Sequence, residues 1–274
     1  MICFPNAKIN LGLNVVSKRP DGYHNIETIF YPIPVKDALE IVASDQPSFT
    51  QTGIPVDAPQ EKNLVIKALN ALKTRYEIPP LEVHLLKAIP FGAGLGGGSA
   101  DAAFMLKLVN DFCGLDIHPD ELEAIASTIG ADCPFFIRNT PVFATGTGNQ
   151  FEPVDLSLKD YYLCLVKPDV AVSTPEAYSM VTPAAPETSG RSWLQTFDPR
   201  GRTGHRVRQS HIVDSGVHAS PDPGRNWTFA ATITGTRRGC AARRGPTYPQ
   251  ALTERCHGTP PAGMIGCMDR KAFA

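Results

Sequence analysis

Five glycines fall within the seven residues 92–98, in the string Pro90-Phe91-Gly92-Ala93-Gly94-Leu95-Gly96-Gly97-Gly98-Ser99-Ala100. A flexible turn needs one or two glycines, not five. Before the string, Leu81, Val83 and Leu85 alternate with Glu82 and His84, the period-2 pattern of a strand. After it, ADAAFMLKLVNDF places Ala102, Ala103, Leu106 and Val109 on one face of a helix. A strand, a glycine loop and a helix in that order allow tight turns with positive φ and bring backbone N–H groups together. With the positive end of the following helix these donors make an anion site of the kind phosphate occupies.

Common phosphate-loop motifs fit the string poorly. Gly92, Gly94 and Gly97 satisfy G-x-G-x-x-G, but so dense a glycine run satisfies it easily. The acidic residue a dinucleotide fold needs downstream would be Asp116, in the polar turn GLDIHP. Gly92 and Gly97 have P-loop spacing, yet residue 98 is Gly where that motif requires lysine. The V-A-I-K, H-R-D and D-F-G strings of protein kinases are absent.

With no lysine in the loop, a phosphoryl-transfer site needs positive charge from elsewhere. Lys8 is the candidate, because PNAKINLGL sets a lysine and two asparagines inside a strand-like segment. Asp132, between Gly130 and Pro134, is the acidic counterpart. Together they suit transfer to an alcohol: the carboxylate orients or accepts the hydroxyl proton, and the ammonium offsets developing charge. From residue types alone, a solvated surface lysine and a helix-end or turn carboxylate remain open.

Other elements follow from periodicity. Strands are expected over 2–16, with Ile9, Leu11, Leu13 and Val15 on one face, and over 26–33, 38–43 and 161–166. Pro20-Asp21-Gly22 marks a turn, 44–60 a surface loop or hairpin, and Asn63 the cap of a helix reaching Tyr76. A further helix is expected over 120–129, with short strands at 135–137 and 141–144. The alternation of strands and helices indicates a mixed α/β or α+β fold.

The 274 residues carry a net charge of −1, which gives no general affinity for nucleic acid or anionic membranes. The N-terminus lacks a basic region followed by an apolar run, and no stretch reaches the length of a membrane span. The seven cysteines form no C-x-x-C pair and no metal-ligand spacing. The expectation is a cytoplasmic protein with reduced thiols and no protein metal ligands.

These averages hide a break near residue 186. Residues 1–185 carry 13 Lys+Arg against 21 Asp+Glu, whereas residues 186–274 carry 13 against 6, with twelve of the thirteen being Arg. The last 89 residues hold only eight Leu, Ile or Val, too few for an ordinary core, and only short pieces such as 227–234 have strand character. A basic nucleic-acid arm, a Gly/Pro-rich linker and an out-of-frame C-terminus all remain open. The last accounts for the joint rise of Arg, Gly, Cys and His.

PNAKINLGL with KRPDGYH, then PFGAGLGGGSADAA, then GADCPFFI, in this order and spacing, resembles the GHMP family of small-molecule kinases over about residues 3–185. The resemblance implies an α+β fold of two domains. The first, ribosomal-protein-S5-domain-2-like, would span residues 1–155 and carry the ATP loop; a C-terminal α/β domain would occupy 156–274. It implies an ATP- and Mg²⁺-dependent kinase acting on an alcohol, with Asn63 and residues 90–100 on the nucleotide, Lys8 beside Asp132, and Asp132 as base. The motifs are closest to the branch whose substrate is a small polyol bearing cytidine diphosphate, in isoprenoid precursor synthesis. There Tyr23 and Tyr178 would flank the cytosine, His24 would hydrogen-bond its edge, and Asn10 would lie on the substrate side. A monomer or homodimer is expected. A GHMP kinase for homoserine or a mevalonate-like alcohol, and a nucleotide-binding but defective relative, are the alternatives. The family's N-D-F/L-E segment and its late G-S-G-S/T turn are missing after residue 185.

Overall fold

The computed structural model describes residues 1–55, 59–159, 161–166, 178–179, 181–184, 212–213, 231–235 and 264–268. The expected C-terminal domain therefore lies largely outside the described residues, as does most of the stretch after residue 186.

Among the described residues the chain forms twelve strands and four α-helices in three four-stranded sheets. The first sheet has the order β1 (Ile2–Cys3), β4 (Ala38–Ala43), β6 (Leu81–Lys87), β5 (Ser48–Gly53). Its inner face presents Leu39, Ile41, Leu81, Val83 and Leu85 to α1 (Leu64–Lys73) and α2 (Gly97–Cys113). Each such side chain contributes about 1.5–3 kcal/mol when it leaves water. The alternation in β4 and β6 and the 3–4 spacing in α1 fit this packing: Val65, Ala68, Leu69 and Leu72 are all buried.

The second sheet has the order β2 (Asn6–Lys18), β3 (His24–Lys36), β7 (Val142–Thr145), β8 (Gln150–Pro153). Pro5 separates β1 from β2, so the single strand expected over 2–16 is two strands in two sheets. The β2–β3 hairpin turns at residues 19–23 with Gly22 at φ +86° and brings Asn10 opposite Phe30. Ala7, Ile9 and Leu11 of β2 join a second core with Ile29, Ile33, Ile89, Ala93 and Leu95. Asn6, Lys8 and Asn10, of the other parity, are also buried. Helix α3 (Pro119–Ser127) follows α2 and packs on it. In the third sheet β9 (Tyr161–Val166) pairs with β11 (Ala231–Gly235) and β12 (Met264–Met268), and β10 (Ile212–Val213) pairs with β11.

Two further expectations are corrected. Residues 135–138 form a helical turn, α4 (Phe135–Arg138), and not a strand. Pro134 at φ −58°, ψ −36° starts it, Asn139 at φ +56° stops it, and Phe135, Phe136 and Ile137 are all buried. A short apolar run with all its side chains inside has no periodicity to distinguish helix from strand. Within 44–60, expected as a surface loop or hairpin, β5 instead runs parallel to β6 with Thr and Gln side chains, which carry no apolar alternation.

Candidate active site

The site forms where β2, the glycine loop, the start of α2 and the α3–α4 turn meet. Lys8 is 4% exposed, so its ammonium is not the solvated surface charge that its residue type suggests. Its Nζ donates to Asn10 Oδ1 at 2.8 Å and lies 3.4 Å from Asp132 Oδ2. The Phe30 ring covers it, with 4.6 Å from Nζ to the centroid. Asn10 meets Lys8 because residues two apart on a strand share a face. Asp132 keeps about a third of its side-chain surface open (34%), so the carboxylate faces both the ammonium and solvent.

The glycine loop lies over this pair. Gly92, Gly94 and Gly96 all have left-handed backbone, at φ +68°, +67° and +69°. The apolar residues between them, Ala93 and Leu95, are each 3% exposed and anchor in the second core. The loop is thus pinned by alternate side chains, while Phe91 at its mouth is largely exposed. Lys8 N donates to Leu95 O at 2.9 Å, which ties the loop to the strand carrying the lysine. At Gly96 a Cβ would come within 2.9 Å of the Phe136 ring and 3.1 Å of Lys8 Cγ. At Gly97 it would meet Ile89 Cγ2 at 2.8 Å. Both positions need glycine for close approach, and Gly96 also for its φ.

Gly96 is the N-cap of α2 and offers no side-chain acceptor. The first-turn N–H groups of Gly97, Gly98 and Ser99 have no intrahelical partner by helix geometry. They point out of the positive end of a 17-residue helix, as an anion requires. Cys133, the residue after Asp132, is buried, and burial pushes its thiol up to about 11.

Asn63, expected on the nucleotide side, is the N-cap of α1: its Oδ1 accepts from Val65 N at 2.9 Å and its Nδ2 donates to Gln51 Oε1 at 2.9 Å. The next residue, Leu64, lies 3.6 Å from where a Gly98 Cβ would be, so this helix start abuts the loop. Tyr23 is two-thirds exposed (67%) at the hairpin tip. The His24 ring stacks directly on Tyr178, with centroids 5.2 Å apart and planes at 26°. Residues from the two ends of the matched sequence are therefore brought together, with Tyr178 against the histidine. No group of three or more His, Cys, Asp or Glu side chains that could hold a metal occurs among the described residues. No helix among them is long and apolar enough to cross a membrane.

Several contributors escape sequence reasoning. Phe30 and Phe136 pattern as plain core residues, and only their contacts with Lys8 and Gly96 give them a place at the site. Asn6 and Asn139 exchange side-chain amide hydrogen bonds, fastening α4 to the start of β2. Lys87 has the inward parity of Leu81, Val83 and Leu85, a signal that a buried charge stands at the loop's entry.

The GHMP kinases N terminal domain model matches residues 63–140, which span α1, the glycine loop, α2, α3 and α4. A 4-diphosphocytidyl-2-C-methyl-D-erythritol kinase of Parabacteroides distasonis is 97% identical over 189 residues, 69% of this chain and 70% of that protein. The kinase of the same name from Bacteroides fragilis is 56% identical over 193 residues, with coverage of 69% and 70%. Among solved structures, a crystal structure of 4-(cytidine 5'-diphospho)-2C-methyl-D-erythritol kinase superposes with a TM-score of 0.59 at 32% identity. That superposition covers 72% of this chain and 70% of the other. A mevalonate kinase of Methanococcus jannaschii shares the fold at TM-score 0.50 and 14% identity, over 65% of each chain. The chain belongs to the GHMP kinase family, a class of ATP-dependent small-molecule kinases, and the relatives with high identity to it are 4-diphosphocytidyl-2-C-methyl-D-erythritol kinases.

Proposed function

We propose that this chain transfers the γ-phosphoryl group of ATP to the tertiary 2-hydroxyl of 4-diphosphocytidyl-2-C-methyl-D-erythritol, releasing ADP. The observation that carries the reading is the buried Lys8 ammonium 3.4 Å from Asp132 Oδ2, beside the open N-terminus of α2. The names of the relatives at 97% and 56% identity supply the substrate.

In this reading residues 90–100 hold the triphosphate on backbone N–H groups, and Mg²⁺ brought by the nucleotide would neutralise phosphate charge. Asp132 takes the hydroxyl proton as the new O–P bond forms and the bond between the β- and γ-phosphates breaks. The Lys8 ammonium aligns the carboxylate and offsets negative charge on the transferring group. Asn10 holds the ammonium in place through its 2.8 Å hydrogen bond. Tyr23, His24 and Tyr178 grip the cytosine, for which ring stacking and a polar edge are suited. The His24–Tyr178 stack supports the two acting as one wall.

The test is ADP release with the cytidine substrate, set beside Asp132→Ala and Lys8→Ala. Loss of turnover by about 10²-fold or more in each is expected; unchanged turnover in both rejects the pair. Turnover with homoserine or mevalonate but not with the cytidine compound would move the chain to another branch of the family. One observation favours a second reading, a nucleotide-binding relative without turnover: the match to the Parabacteroides protein covers 69% of this chain. ATP binding with no ADP release from any of these alcohols would select it.

A further inference from the structure

Three charged side chains that the reaction does not use are buried together beneath the glycine loop. Lys87, Asp37 and Asp101 are 5%, 2% and 2% exposed. Lys87 Nζ bonds Asp37 Oδ2 and lies 2.7 Å from Asp101 Oδ2. Asp37 Oδ1 also accepts from Ala88 N at 2.6 Å and Ile89 N at 2.7 Å. Lys87 and the two amides are the entry to the loop, and Asp101 is in the first turns of α2, its exit. The cluster therefore staples together the two stems between which the loop is strung. It also lies close beneath the loop's donors, since a Gly97 Cβ would sit 3.3 Å from Lys87 Nζ.

The staple is unbalanced. Two carboxyls share one ammonium; Asp37 receives three donors, Asp101 one, and Asp101 Oδ1 has no partner among the described residues. With both acids ionised, a net negative charge would be buried under a site built for anions. We propose that Asp37, Lys87 and Asp101 are the positioning residues of the nucleotide loop, and that this staple takes up a proton at Asp101 when a polyphosphate docks above it. The inference rests on the reading that residues 90–100 bind ATP.

The groups facing Asp101 are few. Lys87 comes from β6, Asp37 from the link between β3 and β4, and the Cys3 thiol from β1, while α1 turns Val65, Ala68, Leu69 and Leu72 inward. Burial, opposed by Lys87 and reinforced by Asp37, raises the Asp101 carboxyl to about 7. A bound anion favours the neutral acid and raises it further. Below about pH 7 the acid is protonated with or without nucleotide, so affinity is full. Above it, affinity falls until the bound-state value is passed.

The experiment is calorimetry of ATP binding to the full chain from pH 6 to 8.5, with magnesium in excess so that the nucleotide stays ionised. It is run in two buffers of different ionisation enthalpy, on wild type and Asp101→Asn. The wild type should take up a fraction of a proton per nucleotide, largest just above pH 7, and lose about fivefold in affinity across the range. The variant should take up none and show a flat affinity. Equal proton uptake and equal pH dependence in the two proteins would overturn the inference while leaving the nucleotide reading intact. No ATP binding at any pH would overturn both. If Asp101→Asn does not fold, the wild-type proton count decides, and a count of zero near pH 7.5 rejects the proposal.

Discussion

At the residue scale, what matters is where burial meets charge. Lys8 has a nearly dry stem, and its charge is spread over an amide oxygen, a carboxylate and an aromatic face. Lys8→Met keeps the stem and deletes the charge. Because Asp132 remains a third exposed, water can solvate it, and the loss in stability should be no more than about 1–2 kcal/mol in urea titration. In the proposed reaction kcat should fall by about 10²–10³-fold with a smaller change in KM for the cytidine substrate, since the missing charge acts on the transition state. Cys133 gives a separate check on the packing under the loop. Burial raises its thiol to about 11, so at pH 8 its alkylation should be about a hundredfold slower than that of a free thiol. The rate should keep climbing tenfold per pH unit towards pH 10, where an ordinary thiol would level off. Mass-spectrometric timing of labelling at Cys133 in the folded chain, with a urea-unfolded control, measures both.

At the scale of elements, the glycine loop can be dissected by comparing two of its glycines. Gly92 and Gly96 share a left-handed backbone, but a Cβ at Gly92 meets nothing within 4 Å, whereas at Gly96 it meets Phe136 at 2.9 Å. Gly92→Ala should therefore cost only the backbone term, about 1 kcal/mol. Gly96→Ala adds displacement of the ring and the Lys8 stem, for about 2–3 kcal/mol in all and a weaker ATP affinity. Equal effects would mean that the loop is not packed on Lys8. Much of this element was legible beforehand. The strand–glycine–helix order, the alternation in 81–86 and the capping Asn63 all follow from local chemistry that tertiary contacts leave intact. The helical turn at 135–138 was not, because three consecutive buried side chains satisfy either geometry. Nor was β5, whose Ser48, Thr50, Gln51 and Thr52 carry no apolar signature and whose pairing to β6 is non-local. Pairing Lys8 with Asp132 across 124 residues needed the motif resemblance, since sequence separation says nothing about contact. The Asp37–Lys87–Asp101 cluster escaped because only the fold brings its three segments together.

At the scale of the whole molecule, the chain divides by composition more sharply than by structure. The first 185 residues bury two apolar cores around the site, and β9 closes the second with Leu163 and Leu165. Beyond residue 185, only eight Leu, Ile or Val occur in 89 residues. The high-identity match spans 189 residues and leaves 85 of the 274 outside it, a share close to the length of the anomalous segment. Near-identity over 189 residues, beside a rise of Arg and Gly over the last 89, is what a shift of reading frame would leave and what gradual divergence would not. The expectation is that the coding sequence across codons 186–195, translated in its other two frames, yields an N-D-F/L-E segment followed by a late G-S-G-S/T turn. Restoring that frame should raise ADP release with the cytidine substrate well above that of the present chain, because the second half of the family's cleft would then be supplied. If neither alternative frame yields those segments, the tail is the chain's own sequence, and kinase activity must be sought in the protein as it stands.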